Sequence, residues 1–337
     1  MKAIGYREPG PIDRDDALIE AELPDPVAAG RDLLVRVHAV SVNPVDTKTR
    51  KAAPAPAGSV KVLGYDAVGV VEAVGPEATL FKPGDRVFYS GSIRRQGSNA
   101  ELQLVDERIV ALAPSELSDA EAAALPLTAI TAWEVLFDRL DVRRPVPGGN
   151  EAILIIGGAG GVGSIAIQLA KQLTMLNVIA TASRPETRQW SLDLGADAVV
   201  DHSKPLAGEI NALGRGAPGF VFSTTETERH FAEIAELIAP QGRLGVIDGI
   251  GKADANLLRG KAVALCFELM FARSSFETPD MIEQHKLLTE VARLVDVGKL
   301  KTTLGEHFGK VTAENLKRAH AFVESGKARG KVVLEGF

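Results

Sequence analysis

The sequence predicts an α/β chain in which a β-rich first part is followed by a doubly wound parallel sheet. Three observations lead there: short β-branched segments broken by turn residues up to about residue 125, strands alternating with amphipathic helices from Glu151 onward, and a glycine-rich turn after the first strand of that alternation. A length of 337 residues with 45% hydrophobic content supplies enough apolar surface for two cores.

In the first part, Asp32–Val42 alternates apolar and polar residues and Gly69–Val74 is β-branched. Pro83-Gly84-Asp85 is turn chemistry ahead of Arg86-Val87-Phe88, while Ala52–Ala57 reads as a loop. Asp119–Leu125 is an alanine-rich helical turn, and the apolar run Leu127–Leu136 continues it, with Trp133 and Phe137 at helical spacing. The boundary is expected near Pro126. From Glu151 the pattern becomes Ala152–Ile156, Val162–Leu173, Asn177–Thr181, Glu186–Leu194, Ala198–Val200, Phe220–Ser223, His230–Ile238 and Gly242–Ile247. Strands spaced by helices in this way form a parallel sheet covered on both faces. Two helices follow, Met281–Val297 and Ala313–Ser325, separated by Leu300–Leu304, before a closing strand Lys331–Leu334 that is expected to return to the first domain. The expected division is 1–125 with 272–337 as one domain and 126–271 as the other.

Lys and Arg total 38 against 44 Asp and Glu, a net charge of −6, and no basic block is present to grip a phosphate backbone. Nucleic acid is not an expected partner. The residues Met1 to Arg7 lack the apolar core of a signal peptide, and no apolar run is expected to span a bilayer, so a membrane is not an expected partner and the cytoplasm is the expected compartment. The single cysteine, Cys266, lies in an apolar stretch and reads as a structural thiol.

Gly158, Gly160 and Gly163 stand in G-x-G-x-x-G register directly after Ala152–Ile156 and at the start of a helix, which is the context of a Rossmann dinucleotide site. There the backbone approaches a pyrophosphate, and the first helical amides, around Gly161 and Val162, face its charge. The end of the second strand selects the cofactor, because a carboxylate suits the ribose of NAD and a cation suits the extra phosphate of NADP. Val178–Thr181 is followed by Ala182-Ser183-Arg184 and then Arg188, with no carboxylate at the strand end. Ser183, Arg184 and Arg188 therefore point to NADPH, with Glu186 close by as an opposing charge.

Asn43-Pro44-Val45-Asp46, Gly64-Tyr65-Asp66-Ala67-Val68-Gly69, Phe81-Lys82-Pro83-Gly84-Asp85-Arg86-Val87 and Leu125-Pro126-Leu127-Thr128-Ala129-Ile130-Thr131-Ala132-Trp133 occur in the order seen in medium-chain dehydrogenases/reductases. Over essentially its whole length the chain resembles the quinone oxidoreductase branch of that superfamily, including the zinc-type alcohol dehydrogenase-like proteins, and Leu269–Ser274 strengthens the placement. The resemblance implies a GroES-like β domain beside the Rossmann domain. It implies cofactor contacts at Thr131, Thr224, Thr225, Asp248, Gly249, Phe271, Ala272 and Lys331, the last reaching for the pyrophosphate. Zinc-dependent relatives carry cysteine where this chain has Asn43, histidine where it has Tyr65, and a second cysteine near Leu127. Without those donors a catalytic zinc site is not expected.

A reductase without a metal suits acceptors whose developing charge is delocalised, such as quinones and α,β-unsaturated carbonyls. Tyr65 and Asn43 are the expected hydrogen-bond donors, each with an ordinary alternative as a packed aromatic and a turn residue. The competing functions are an alcohol dehydrogenase acting on simple alcohols or aldehydes and a non-catalytic NADPH-binding protein. The apolar segment Lys261–Phe271 reads as an edge strand that a homodimer would cover.

Overall fold

The alternation along Asp32–Val42 becomes an 11-residue strand that buries Leu33, Val35 and Val37 and turns Arg36 outward. The computed structural model describes residues 1–337, which divide into two compact units: Met1–Leu127 with Phe271–Phe337, and Thr128–Met270. The first unit opens with strands β1 (Lys2–Tyr6), β2 (Ile19–Glu22) and β3 (Asp32–Val42), helix α1 (Pro44–Ala52), strands β4 (Lys61–Val62), β5 (Asp66–Val74), β6 (Arg86–Ser90), β7 (Leu102–Asp106) and β8 (Val110–Leu112), and helix α2 (Asp119–Ala123). Helix α3 (Pro126–Trp133) carries the chain into the second unit.

The second unit alternates β9 (Asn150–Ile156), α4 (Gly161–Leu173), β10 (Asn177–Thr181), α5 (Pro185–Asp193), β11 (Ala198–Val200), α6 (Leu206–Ala212), β12 (Pro218–Ser223), α7 (Thr227–Leu237), β13 (Arg243–Val246) and β14 (Ala264–Phe267). Its six strands are all parallel, in the order β11-β10-β9-β12-β13-β14. The strand order reverses beside β9, and in open parallel sheets the carboxyl ends of the strands at such a reversal are where ligands bind. The edge strand β14 leaves Phe267 57% exposed, and Leu269 just beyond it is 58% exposed.

The chain returns to the first unit through α8 (Ala272–Phe276), α9 (Ile282–Asp296), β15 (Leu304–His307), α10 (Ala313–Glu324) and β16 (Lys331–Glu335). The large sheet there runs β15-β16-β3-β5-β6-β8, with β7 also paired to β3. β16 is thus an interior strand, its Val332 opposite Val42, and the next pairing sets Ser41 opposite Asp66 on β5. Ile4, Tyr6, Val40, Leu63, Val87, Leu316 and Leu334 belong to its core.

Two local expectations change. Asn43-Pro44 does not end in a turn: it starts α1, with Pro44 in the first turn and the Asp46 carboxylate accepting the Asn43 amide at 2.8 Å. The apolar run is also longer than expected, because the 21-residue segment Asp119–Arg139, built from α2, α3 and the turn after it, is long and apolar enough to cross a bilayer. It is a core helix, 83% of its most apolar stretch being buried inside the protein. Its last turn, Glu134–Arg139, is π-helical.

Candidate active site

At the carboxyl end of β9 the chain turns through Gly157, whose φ of 80° is open to glycine at little cost. Gly158, the first glycine of the G-x-G-x-x-G register, is not the residue at that turn: a side chain there would strike Ala180, so its task is close packing under β10. A Cβ on Gly163 would strike the Gly157 carbonyl, which is the close helix approach expected of the third glycine. At Gly160 the nearest atom to an added Cβ is the Gly157 oxygen at 3.4 Å, leaving the outer face of the turn clear. Helix α4 begins at Gly161, so the amides of Gly161, Val162 and Gly163 precede its first intrahelical bond, from Ser164 N to the Gly160 oxygen at 2.8 Å. An open concave turn with free amides at a helix start fits the pyrophosphate of a dinucleotide.

Thr181, which sequence reading left unassigned, holds this turn from the neighbouring strand. Its carbonyl accepts from Gly158 N at 3.1 Å, and its hydroxyl accepts from Gly157 N at 3.0 Å and meets His202 Nδ1 at 3.0 Å. A hydroxyl at the end of the second strand was the available signal. Beyond it, Ser183 is exposed and Arg184 is 41% exposed, with its Nε 3.0 Å from Glu186. Arg188 donates to the carbonyls of Val199 at 2.8 Å and Ala182 at 3.4 Å, which ties its guanidinium to the ends of two strands. Thr224 donates to the Ile156 carbonyl at 2.7 Å beside the glycine turn. Asp248 receives the Thr227 hydroxyl and amide and so anchors the start of α7, and Gly249 follows it. Thr131 lies near the end of α3, only 4% exposed.

In the first unit the hydrogen bonds converge on Asp66. One carboxylate oxygen accepts from Ser41 Oγ at 2.7 Å, Asn43 Nδ2 at 2.8 Å and Lys331 Nζ at 3.0 Å, while the other accepts from the Leu127 amide at 2.6 Å. Lys331 also donates to Asn43 Oδ1. Both ends of the Asn43 amide are therefore engaged inside the unit, which corrects the expectation that Asn43 is a donor free to meet an acceptor. Lys331 is corrected as well: it stands on an interior strand with its side chain 4% exposed and ion-paired to Asp66, and is not a free hand for a pyrophosphate.

Tyr65 keeps its hydroxyl less encumbered, 3.4 Å from Thr49 Oγ1 on α1, with its ring 4.9 Å from that of Phe271. Burial raises the Tyr65 hydroxyl above its ordinary pKa, and the neighbouring Asp46 raises it further, so the group stays a donor. Burial pushes Asp46 up to about 7 although the amides of Asn43 and Gly64 pull it down. Ala272 opens α8 immediately after Phe271. Tyr89 is fully buried and donates to Gln103 Oε1 at 2.9 Å.

These residues do not fit a zinc ion. Asn43, Tyr65 and Leu127 lack a zinc donor set, Asp66 is held by Lys331, and no three His, Cys, Asp or Glu side chains converge anywhere in the chain.

Residues 29–115 match the family described as alcohol dehydrogenase GroES-like domain, and residues 194–334 match the one described as zinc-binding dehydrogenase. The chain is 42% identical to a zinc-type alcohol dehydrogenase-like protein of Staphylococcus aureus, with 99% of each covered. It is 38% identical to the 2-methylene-furan-3-one reductase of Solanum lycopersicum, over 99% of this chain and 79% of that one. A crystal structure from Rhizobium etli, provisionally described as a zinc-dependent alcohol dehydrogenase, superposes with a TM-score of 0.99 at 63% identity, covering 100% of this chain and 98% of that one.

Proposed function

Since the chain belongs to the zinc-type alcohol dehydrogenase-like proteins of the medium-chain dehydrogenase/reductase superfamily, in its quinone oxidoreductase branch, we propose that it is a zinc-independent, NADPH-dependent reductase of quinones or α,β-unsaturated carbonyls. The observation that carries this reading is the Asp66 hub, which fills the region of the zinc-ligand positions with an internal ion pair and amide bonds. A centre without a Lewis acid suits an acceptor that spreads its own developing charge. The 2-methylene-furan-3-one reductase relative supports the enone arm by its name.

When bound, the nicotinamide would supply the hydride. The chain's own residues do the rest. Gly161 to Gly163 offer backbone amides to the pyrophosphate, Gly160 leaves the face of the turn clear for it, and Ser183 and Arg184 offer a donor and a charge to the 2′-phosphate, with Arg188 adding charge at longer range. Thr131, Thr224, Asp248, Gly249 and the Phe271-Ala272 backbone are proposed contacts to the remainder of the cofactor. Tyr65 donates its hydroxyl hydrogen bond to the acceptor oxygen as negative charge builds there. Two copies of the chain pair along β14, which hides Phe267 and Leu269.

The test is a cofactor-oxidation screen with NADPH and NADH against quinones, enones and aldehydes, with and without chelator. Chelator-resistant NADPH oxidation by quinones or enones is the expected result. Turnover confined to simple alcohols or aldehydes would refute the reading, and tight NADPH retention with no turnover would favour a non-catalytic role.

A further inference from the structure

The Thr181 hydroxyl that holds the glycine turn is itself held from the next strand. β11 pairs in parallel with β10, Val200 opposite Thr181, and two residues further on the chain sets His202 Nδ1 3.0 Å from Thr181 Oγ1. The half-buried His202 ring meets the ring of His230 on α7 edge-on, with centroids 6.4 Å apart, and His230 is 3% exposed. The imidazole is thereby fixed between a strand end and a helix.

Thr181 is fully buried, and Gly157 N and His202 Nδ1 are the two partners of its hydroxyl. A backbone amide only donates, so the oxygen accepts from Gly157 and the hydroxyl hydrogen goes to Nδ1. That bond assigns the imidazole: Nδ1 is bare, the proton sits on Nε2 and the ring is neutral. A hydrogen on Nδ1 would leave the buried hydroxyl hydrogen without an acceptor and let the oxygen's lone pairs turn away from Gly157, at a cost. The surroundings favour the neutral ring. Burial, the largest influence, lowers His202 below its ordinary pKa, Asp201 and Glu226 pull the other way, and Arg229 on α7 adds to the fall. Both carboxylates have other partners: Asp201 accepts from Ser203 N at 2.9 Å and Ser203 Oγ at 2.7 Å, and Glu226 accepts from Arg229 at 2.8 Å.

We propose that neutral His202 is a positioning residue for the dinucleotide: by accepting the Thr181 hydroxyl hydrogen it aims that oxygen at the Gly157 amide and so holds the glycine turn in the shape that receives a pyrophosphate. The inference rests on the nicotinamide reading above. Because NADPH and NADH share the pyrophosphate, His202 serves both alike, unlike Ser183 and Arg184.

The experiment combines nitrogen NMR of the imidazole at pH 7, without cofactor, with fluorescence titration of NADPH and NADH. The wild type is expected to show His202 as the single tautomer with bare Nδ1 and protonated Nε2. His202→Phe keeps a ring against His230 but offers no acceptor, and affinity for both cofactors is expected to fall about three- to tenfold, the worth of one hydrogen bond. His202→Asn places an amide oxygen near the position of Nδ1 and should hold both affinities within about twofold. In a Thr181→Val background, which already lacks the hydroxyl, adding His202→Phe should weaken binding no further. Should His202→Phe fail to fold, Thr181→Val alone carries the test: it should cost both cofactors the same factor and release His202 into a mixture of tautomers. A wild-type Nδ1–H tautomer, or affinities unmoved in whichever variant folds, overturns the proposal. A loss confined to NADPH overturns it too, by making His202 a contact to the 2′-phosphate. A wild type that binds neither cofactor overturns the nicotinamide reading and the positioning role together, whereas one that binds both and ignores every substitution overturns the positioning role alone.

Discussion

Arg184 shows how much one side chain decides and how a neighbour limits it. Its Nε lies 3.0 Å from Glu186, so the 2′-phosphate of the proposed NADPH would compete with a carboxylate for the same guanidinium. Replacing Arg184 with alanine removes a charge-assisted hydrogen bond worth about 1.5–3 kcal/mol, so NADPH affinity should fall about tenfold or more while NADH affinity stays level. Glu186→Gln should move NADPH affinity the other way. Equal losses for both cofactors on Arg184→Ala, read by fluorescence titration, would make the residue a loop-shaper and remove the main support for NADPH. At Lys331 the stakes are stability. Lys331→Met strands the Asp66 carboxylate at a fully buried position, and breaking such a pair costs about 3–5 kcal/mol in urea unfolding. Adding Asp66→Asn should restore much of that loss; a double variant no more stable than the single one would show that the hub works through its other bonds.

Among elements, the glycine turn was the most legible, because its function is written in local backbone requirements. Gly163 needs only the helix to sit close on Gly157, and Gly163→Ala should lower both stability, by about 1–3 kcal/mol, and cofactor binding. Calorimetry showing an unchanged Tm would contradict the packing argument. Helix α1 was hidden because Asn43-Pro44 serves a turn and a helix start equally well, although Pro44 in the first turn and Asp46 behind it were a usable signal. The Asp66 hub was not legible at all: Asp66, Asn43, Leu127 and Lys331 come from four distant stretches, and only the register of β3 with β5 and β16 brings three of them together. The absent zinc donors could be read, whereas the engagement of Asn43 could not. The α1–α10 pairing adds a pH-dependent term. His320 on α10 is fully buried beside the buried Arg50 of α1, neither ring nitrogen has a protein partner, and burial first and Arg50 second push its pKa down to about 3. The unfolded chain therefore takes up the proton first, near its ordinary 6.5, and stability falls as pH drops below that value until the folded pKa is reached. Between pH 7 and pH 5 this one group should remove about 2 kcal/mol, a loss that His320→Phe would not share. Identical acid slopes for the two proteins in urea titrations would refute it.

For the whole molecule, the exposed β14 edge and the sheet order lead to the remaining expectations. Light scattering at micromolar concentration should give the mass of two 35.7 kDa chains, and Phe267→Glu should shift it toward one. A wild-type monomer would refute pairing along β14. The interior place of β16 bears on how the protein is made. Unit Thr128–Met270 is continuous in sequence, so all six strands of its sheet are available once about 270 residues have left the ribosome, and domains tend to fold as units during synthesis. The other unit has its first eight strands synthesised earlier, yet β3 lacks its neighbour until Lys331–Glu335 is released, and Asp66 lacks its cation until the same moment. The half made first is therefore finished last. During translation it waits with an unpaired edge on β3 and an uncompensated acid, which makes the nascent chain, rather than the mature protein, the form most in need of a chaperone's cover.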